Sequence, residues 1–152
     1  HVKVNIDNKI NQKKYPDPKL CTSIHVRRGD YVIKQNYHPL QGPEYYKSAC
    51  KIANNKYYVI FSDDIEWCKQ SFGNHDRIVY SQEADPFEAM YHMSLCSNHI
   101  ICNSSFGWWG SWLGEMAFPD KERIIVAPKK WFGPGHAAYD TTDIIPDRWI
   151  RI

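Results

Sequence analysis

Residues 21–31 read Cys21-Thr-Ser-Ile-His-Val-Arg-Arg-Gly-Asp-Tyr31, a run of β-formers that ends in two arginines, a glycine and an aspartate. Strand period places His25 and Arg27 on one side and Ile24 and Val26 on the other. Two polar side chains therefore aim together past the end of a strand expected over Leu20–Arg27. A guanidinium presents five donors in a planar fork that fits a phosphate bidentately and stays charged in a partly dry cleft. Gly29 permits a sharp turn or a close backbone approach. Asp30 either pins an arginine or faces a substrate. The plain alternative is an Arg-Asp pair on an exposed loop, and Arg28-Gly29-Asp30 is also the adhesion tripeptide. That role fits poorly, because the tripeptide directly follows a buried-type strand.

Outward from this stretch, apolar runs of strand length alternate with segments of helix length. Strands are expected over Tyr57–Ser62, Arg77–Tyr80, His99–Cys102 and Arg123–Ala127. Helices are expected over Pro43–Asn54, from Asp64, over Pro86–Cys96 and over Phe106–Met116. Such alternation predicts an α/β domain, a Rossmann-like parallel sheet flanked by helices, with ligands at the carboxyl ends of the strands. Residues 1–19 are polar and close on Pro-Asp-Pro, which reads as a linker before a domain over 20–152. The tail from Pro128 holds Gly133-Pro134-Gly135 and Pro146, and is expected to wrap the surface before Trp149 docks.

The chain has 152 residues, one domain's length, with 19 basic and 17 acidic residues. A net charge of +2 gives no global reason for a nucleic-acid or membrane-surface partner. No apolar run reaches the roughly 20 residues of a membrane span. The five cysteines include no Cys-x-x-Cys pair, so they read as buried thiols of a reducing compartment, and a cytoplasmic location is expected. His92 and His99 lack partners at metal spacing, and no Walker loop, G-x-G-x-x-G or Asp-x-Asp motif is present, so no metal is expected.

Three further segments carry candidate chemistry. Asn103-Ser104-Ser105 breaks a strand and opens a helix, a natural phosphate cradle in which Ser104 or Ser105 also serves as cap. The sequon at Asn103 is expected to go unused, lying between buried elements. The helix FGWWGSWLGEM carries Gly107, Gly110 and Gly114 along one smooth face, with its tryptophans expected mostly in packing. Asp63-Asp64-Ile65-Glu66 and Asp85-Pro86-Phe87-Glu88 resemble capping boxes. Asp63, Glu66 and Asp85 are therefore assigned to caps, which leaves Asp64 for a ligand.

Taken in order, HVRRGDY (25–31), FSDDIEWCK (61–69) and MSLCSNHIICNSSFGWWGSWL (93–113) resemble the three successive motifs of the α-1,2-fucosyltransferase family, glycosyltransferase family 11. The likeness runs from about Leu20 to the closing PDRWIRI. The resemblance implies a GT-B-like enzyme of two Rossmann-like lobes, of which this chain is the C-terminal, GDP-fucose-binding one. It implies inverting fucosyl transfer to a sugar hydroxyl, α-1,2 to galactose, with no metal and no cofactor beyond the GDP-fucose substrate. The implied partners are the sugar nucleotide, a glycan acceptor and either a preceding acceptor-binding lobe or a second copy. Without such a lobe, a nucleotide-binding module lacking catalysis is the alternative.

By the same resemblance, Arg27 meets the β-phosphate of GDP and is the catalytic group, with Arg28 beside it. His25 lies near the nucleoside, and Ser104 or Ser105 with Phe106 faces the phosphates and sugar. Asp30 is the nearest candidate for a catalytic carboxylate, with Gly29 and Asp64 also at the site. The family carries an aspartate five residues before the serine of the MSLC-like motif, suited to the guanine N–H donors. Here that position is Ala89. Glu88, about 100° away around the helix, is the candidate substitute.

Overall fold

The computed structural model describes residues 15–152. Its strands are β1 (Cys21–Val26), β2 (Tyr57–Ser62), β3 (Ile78–Tyr80), β4 (Asn98–Ile100), β5 (Ile125–Ala127) and β6 (Ile150–Arg151). Its α-helices are α1 (Pro43–Ile52), α2 (Ile65–Phe72), α3 (Pro86–Leu95) and α4 (Ser105–Ala117). The six strands form one sheet in the order β3-β2-β1-β4-β5-β6. Every pairing is parallel, including Ile24 opposite Ile60 on one side and Ile100 on the other. This is the expected α/β sheet, doubly wound, and its strand order reverses between β1 and β4.

All six residues of β1 are buried, as a central strand covered on both faces requires. Ile24 and Val26 face one layer with Tyr46 and Ala49 of α1 and Cys68 of α2. On the opposite face Cys21, Val59 and Phe61 pack with Met93 of α3. A third cluster joins Ile101, Ile125, Trp131 and Trp149 to Trp108 and Trp112 of α4. Trp108 stacks on Trp112 at 5.2 Å and donates its indole N–H to the Ile144 carbonyl, so these rings pack as the sequence reading expects.

Several boundaries move. Leu20 belongs to a 3₁₀ turn (Pro18–Leu20) and Arg27 lies beyond the strand, where its side chain is released from the sheet. The expected His99–Cys102 strand is Asn98–Ile100, although Ile101 N–H still reaches the Val126 carbonyl at 2.9 Å. Trp149 is buried as expected, and the two residues after it add β6 to the sheet edge, a strand too short for a sequence pattern to register. Of the expected linker, residues 1–14 lie outside the described residues. Tyr15 packs against Phe61 and belongs with the domain.

The small-residue face of α4 explains its closeness to its neighbours. A Cβ at Gly107 would stand 2.7 Å from His25 Nδ1, one at Gly110 would strike Met93 Sδ, and one at Gly114 would lie 2.7 Å from the Ser94 carbonyl oxygen. The cysteines are free thiols, four of them buried. Burial pushes Cys21, Cys50 and Cys68 up to about 11 and Cys102 up to about 12, so these four are protonated and inert near neutral pH.

Candidate functional site

A cavity of about 310 Å³ opens at the carboxyl ends of β1, β2 and β3 and at the start of α4. His25 and Arg27 enter it from β1, Phe61, Ser62 and Asp63 from β2, and Ser104 and Phe106 from the β4–α4 junction. The fourth wall is Ser81, Glu83, Ala84, Pro86 and Ala89, running from β3 into α3. Arg27 and the α4 start thus meet beside the β1/β4 reversal, where sheets of this type take ligands.

Arg27 is held as a fork between two carboxylates. Its Nη2 is 2.8 Å from Asp30 and its Nη1 is 2.9 Å from Asp63, with the guanidinium 5.6 Å from the Tyr31 ring centre. Its side chain remains 38% exposed toward the cavity. Partial burial draws its pKa down, but the Asp30 hydrogen bond and the Asp63 and Asp30 charges outweigh this and leave it raised. Asp30 itself is held below the usual carboxylate range by its hydrogen bonds from Lys34 and Arg27. So firmly ionised a carboxylate suits orienting a cation better than accepting a proton near neutral pH. Gly29 is required here, because a Cβ would collide with Asp63 Oδ2.

The two aspartates after β2 exchange the roles expected of them. Asp64, assigned to a ligand, is the N-cap of α2, accepting from Trp67 N–H at 3.1 Å and pairing with Arg28 Nε at 3.1 Å. Asp63, assigned to a cap, instead lines the cavity, pairs with Arg27 and accepts from Arg28 N–H at 2.9 Å. The start of α2 falls one residue later than the capping pattern implies, and that single step turns Asp63 inward. Glu66 pairs with Lys69 at 2.7 Å, while Asp85 caps α3 as expected by accepting from Phe87 N–H. Arg28, only 18% exposed, lies 4.2 Å over the Trp67 ring and braces the loop. An adhesion motif needs that arginine presented to a partner.

His25 is sandwiched between Phe106, at 5.2 Å, and the Gly107 face of α4, with Cys102 Sγ 3.4 Å from its Nδ1. Burial first and the Arg27 charge second push its pKa down to about 3, so it meets the cavity as a neutral ring. Ser104 is the buried N-cap of α4, yet its side chain makes no capping hydrogen bond. Its hydroxyl and the positive end of the helix face the same cavity as Arg27. Ser105, first residue of α4, is exposed and outside the lining. Asn103 is buried and donates to the Trp131 carbonyl at 3.0 Å, which removes the sequon from the surface.

Glu88 lies exposed on α3, away from the cavity, whereas Ala89 lines it. Two polar residues that sequence reasoning did not single out stand on that wall. Ser81 and Glu83 are both bonded to the Tyr15 hydroxyl, each at 3.0 Å. They fall in an irregular segment with no periodic or motif signal. Among the described residues, no three His, Cys, Asp or Glu side chains gather as a metal-holding group, and no helix is long and apolar enough to cross a membrane.

The chain is therefore a doubly wound parallel α/β domain of the Rossmann type, with a cavity at its switch point where Arg27 and the start of α4 meet. Its sequence matches the model of Glycosyl transferase family 11 over residues 1–152, and the chain belongs to that family. It is 35% identical over 165 residues to an alpha-1,2-colitosyltransferase of Escherichia coli, an alignment covering 97% of this chain and 53% of the relative. It is 34% identical over 142 residues to the O-antigen biosynthesis glycosyltransferase WbnK of Escherichia coli, covering 86% and 44%. Human galactoside alpha-(1,2)-fucosyltransferase 1 is 27% identical over 137 residues, covering 77% and 38%. The chain thus spans about half the length, or less, of these curated relatives.

Proposed function

We propose that this chain is the sugar-nucleotide-binding lobe of an inverting, metal-independent glycosyltransferase that moves fucose, or a closely similar deoxy sugar, from its GDP conjugate to a sugar hydroxyl. The observation that carries the reading is the meeting of Arg27 and the α4 start on one cavity. Family membership supplies the reaction class, and the names of the relatives supply the sugars and the α-1,2 linkage to galactose.

In this reading the acceptor oxygen forms its bond to the anomeric carbon as the bond from that carbon to the GDP oxygen breaks, on the opposite face. The acceptor proton leaves to a base, and the electron pair of the broken bond stays on the β-phosphate. Arg27 and the first-turn N–H groups of α4 take up that developing charge, with Ser104 as a further hydrogen-bond donor. Asp30 and Asp63 act by holding the fork in register, and Arg28 by bracing the loop that carries them. His25 and Phe106 form an uncharged wall against the nucleoside or sugar.

The test is calorimetric titration with GDP, GDP-fucose and GDP-colitose, followed by a transfer assay on a galactoside with and without EDTA. Wild-type protein is expected to bind GDP, and transfer is expected to survive EDTA. Arg27→Lys is expected to keep the fold and lower transfer by about 10²-fold or more, the loss typical of one oxyanion-type donor. Unchanged transfer in Arg27→Lys removes Arg27 from the chemistry. A second reading, a nucleotide-binding module without catalysis, is favoured by Ala89 on the cavity wall, where the family resemblance expects an aspartate. It predicts GDP binding with no transfer by this chain.

A further inference from the structure

Cys102 stands two residues before the Ser104 cap, where the chain leaves β4 for α4, and its carbonyl accepts from Ser104 N–H at 2.8 Å. Its side chain reaches across to β1 and meets His25 Nδ1 at 3.4 Å, both residues being buried. Burial pushes the thiol up to about 12, and the backbone N–H groups of Arg27 and of Cys102 itself, directed at the sulfur, offset that only partly. The group is therefore an S–H near neutral pH. With two N–H groups engaging the sulfur as acceptor, its one proton is left to donate. His25 Nδ1 is the side-chain partner that Cys102 has among the described residues. The ring is also uncharged, since burial first and the Arg27 charge second hold it at about 3. A neutral imidazole that accepts at Nδ1 carries its proton on Nε2.

The packing decides where that proton points. A Cβ on Gly107 would stand 2.7 Å from His25 Nδ1 and 3.1 Å from its Cβ and Cγ, so this edge of the ring lies against α4. Nε2 is at the far end of the ring, bonded to no protein group among the described residues, and His25 lines the cavity beside Arg27. Resting on the proposed GDP-sugar function, we infer that Cys102 is a positioning residue whose thiol donates to His25 Nδ1 and so fixes the tautomer that presents Nε2–H to an acceptor oxygen of the bound GDP-sugar. The opposite tautomer would turn a ring lone pair against the lone pairs of that oxygen. The same sulfur accepts from the Arg27 N–H, so one buried side chain ties the strand end that carries both ligand-facing groups to the start of α4. It takes no part in the chemistry as a nucleophile, because it stays protonated.

The experiment is NMR correlation of ring nitrogens with ring protons in nitrogen-labelled wild type, Cys102→Ala and Cys102→Ser near neutral pH, joined to calorimetric titration of each with GDP. The His25 signals are assigned by their loss in His25→Gln. Wild type is expected to show a protonated Nε2 and a bare Nδ1. Cys102→Ala is expected to give a mixture of tautomers and to weaken GDP binding by about two- to tenfold, the range for one neutral hydrogen bond. Cys102→Ser keeps a donor on a shorter side chain and is expected to retain the wild-type tautomer and most of the affinity. His25→Gln sets an amide N–H near the place of Nε2 with no tautomer to choose, so Cys102→Ala added to it is expected to cost little more. An equal loss in both backgrounds means that the thiol acts through packing alone and overturns the inference. A proton on Nδ1 of the wild-type ring, or a tautomer unmoved in Cys102→Ala, overturns it whatever GDP does and leaves the proposed function standing. Should Cys102→Ala fail to fold, Cys102→Ser decides, and a proton on Nδ1 there overturns the inference. A wild type with Nε2 protonated that binds no GDP overturns the proposed function and the ligand contact with it.

Discussion

Arg27 sits where three constraints intersect: the last turn of the sheet ladder, a glycine with no room for a side chain, and two carboxylates that hold its fork flat. Lysine in its place would keep a charge but lose the planar pair of contacts to Asp30 and Asp63. The neutral histidines nearby have a consequence for stability. His25 and His99 are both pushed down to about 3, by burial first and then by Arg27 and Arg123 respectively. Arg123 Nη1 donates to His99 Nε2 at 3.2 Å, so the neutral ring carries its one proton on Nδ1, against the Ser23 hydroxyl at 2.7 Å, and a second proton on Nε2 is disfavoured. A depressed folded pKa means the unfolded chain binds more protons between about pH 6.5 and 3. The contribution of these two residues is therefore fully present above about pH 6.5 and is lost progressively as pH falls. Urea midpoints measured from pH 7 to pH 5 are expected to drop, with a slope approaching two protons per molecule toward the acid side. A flat profile would mean that these rings titrate normally in the fold.

At the level of elements, α4 is the piece on which the site is mounted, and its glycines set how closely it lies on the sheet and on α3. Replacing a helical glycine by alanine ordinarily gains about 1 kcal/mol. Gly114→Ala is expected to lose stability instead, by about 1–3 kcal/mol, because its new methyl would meet the Ser94 backbone oxygen, which cannot step aside. Gly110→Ala is expected to cost less, since the atom it meets is the flexible end of Met93. Thermal melts of the two variants check the ranking, and equal melting temperatures would contradict it. The glycine spacing was legible in the sequence because small residues at three and four apart define one helix face. The start of α2 was not legible to the residue. Asp63, three residues before Glu66, matches the capping pattern, yet Asp64 is the cap; the register between β2 and β1, which sets Asp63 against Arg27 and Gly29, decides between them.

Across the whole molecule, the parallel sheet and the end at which it works follow from alternating runs of apolar residues, since covered parallel strands must be hydrophobic on both faces. His25, Arg27, Ser104 and Phe106 converge because each stands just at or past a strand end, a position that sequence marks well. Ser81 and Glu83 reach the same cavity from an irregular segment, with Tyr15 bonded to both from outside the lining, and there contact depends on chain path rather than on period, so no local pattern announces them. The path also explains Glu88. One residue from Ala89 on a helix is a quarter-turn or more, enough to carry a carboxylate from the cavity wall to the exposed side. The most direct measurement is a crystal structure of this chain with GDP. The β-phosphate is expected within hydrogen-bonding distance of the Arg27 guanidinium and of backbone N–H groups in the first turn of α4. A diphosphate bound away from Arg27, or GDP seated at the amino ends of the strands, would contradict the convergence of fork and helix start on one anion.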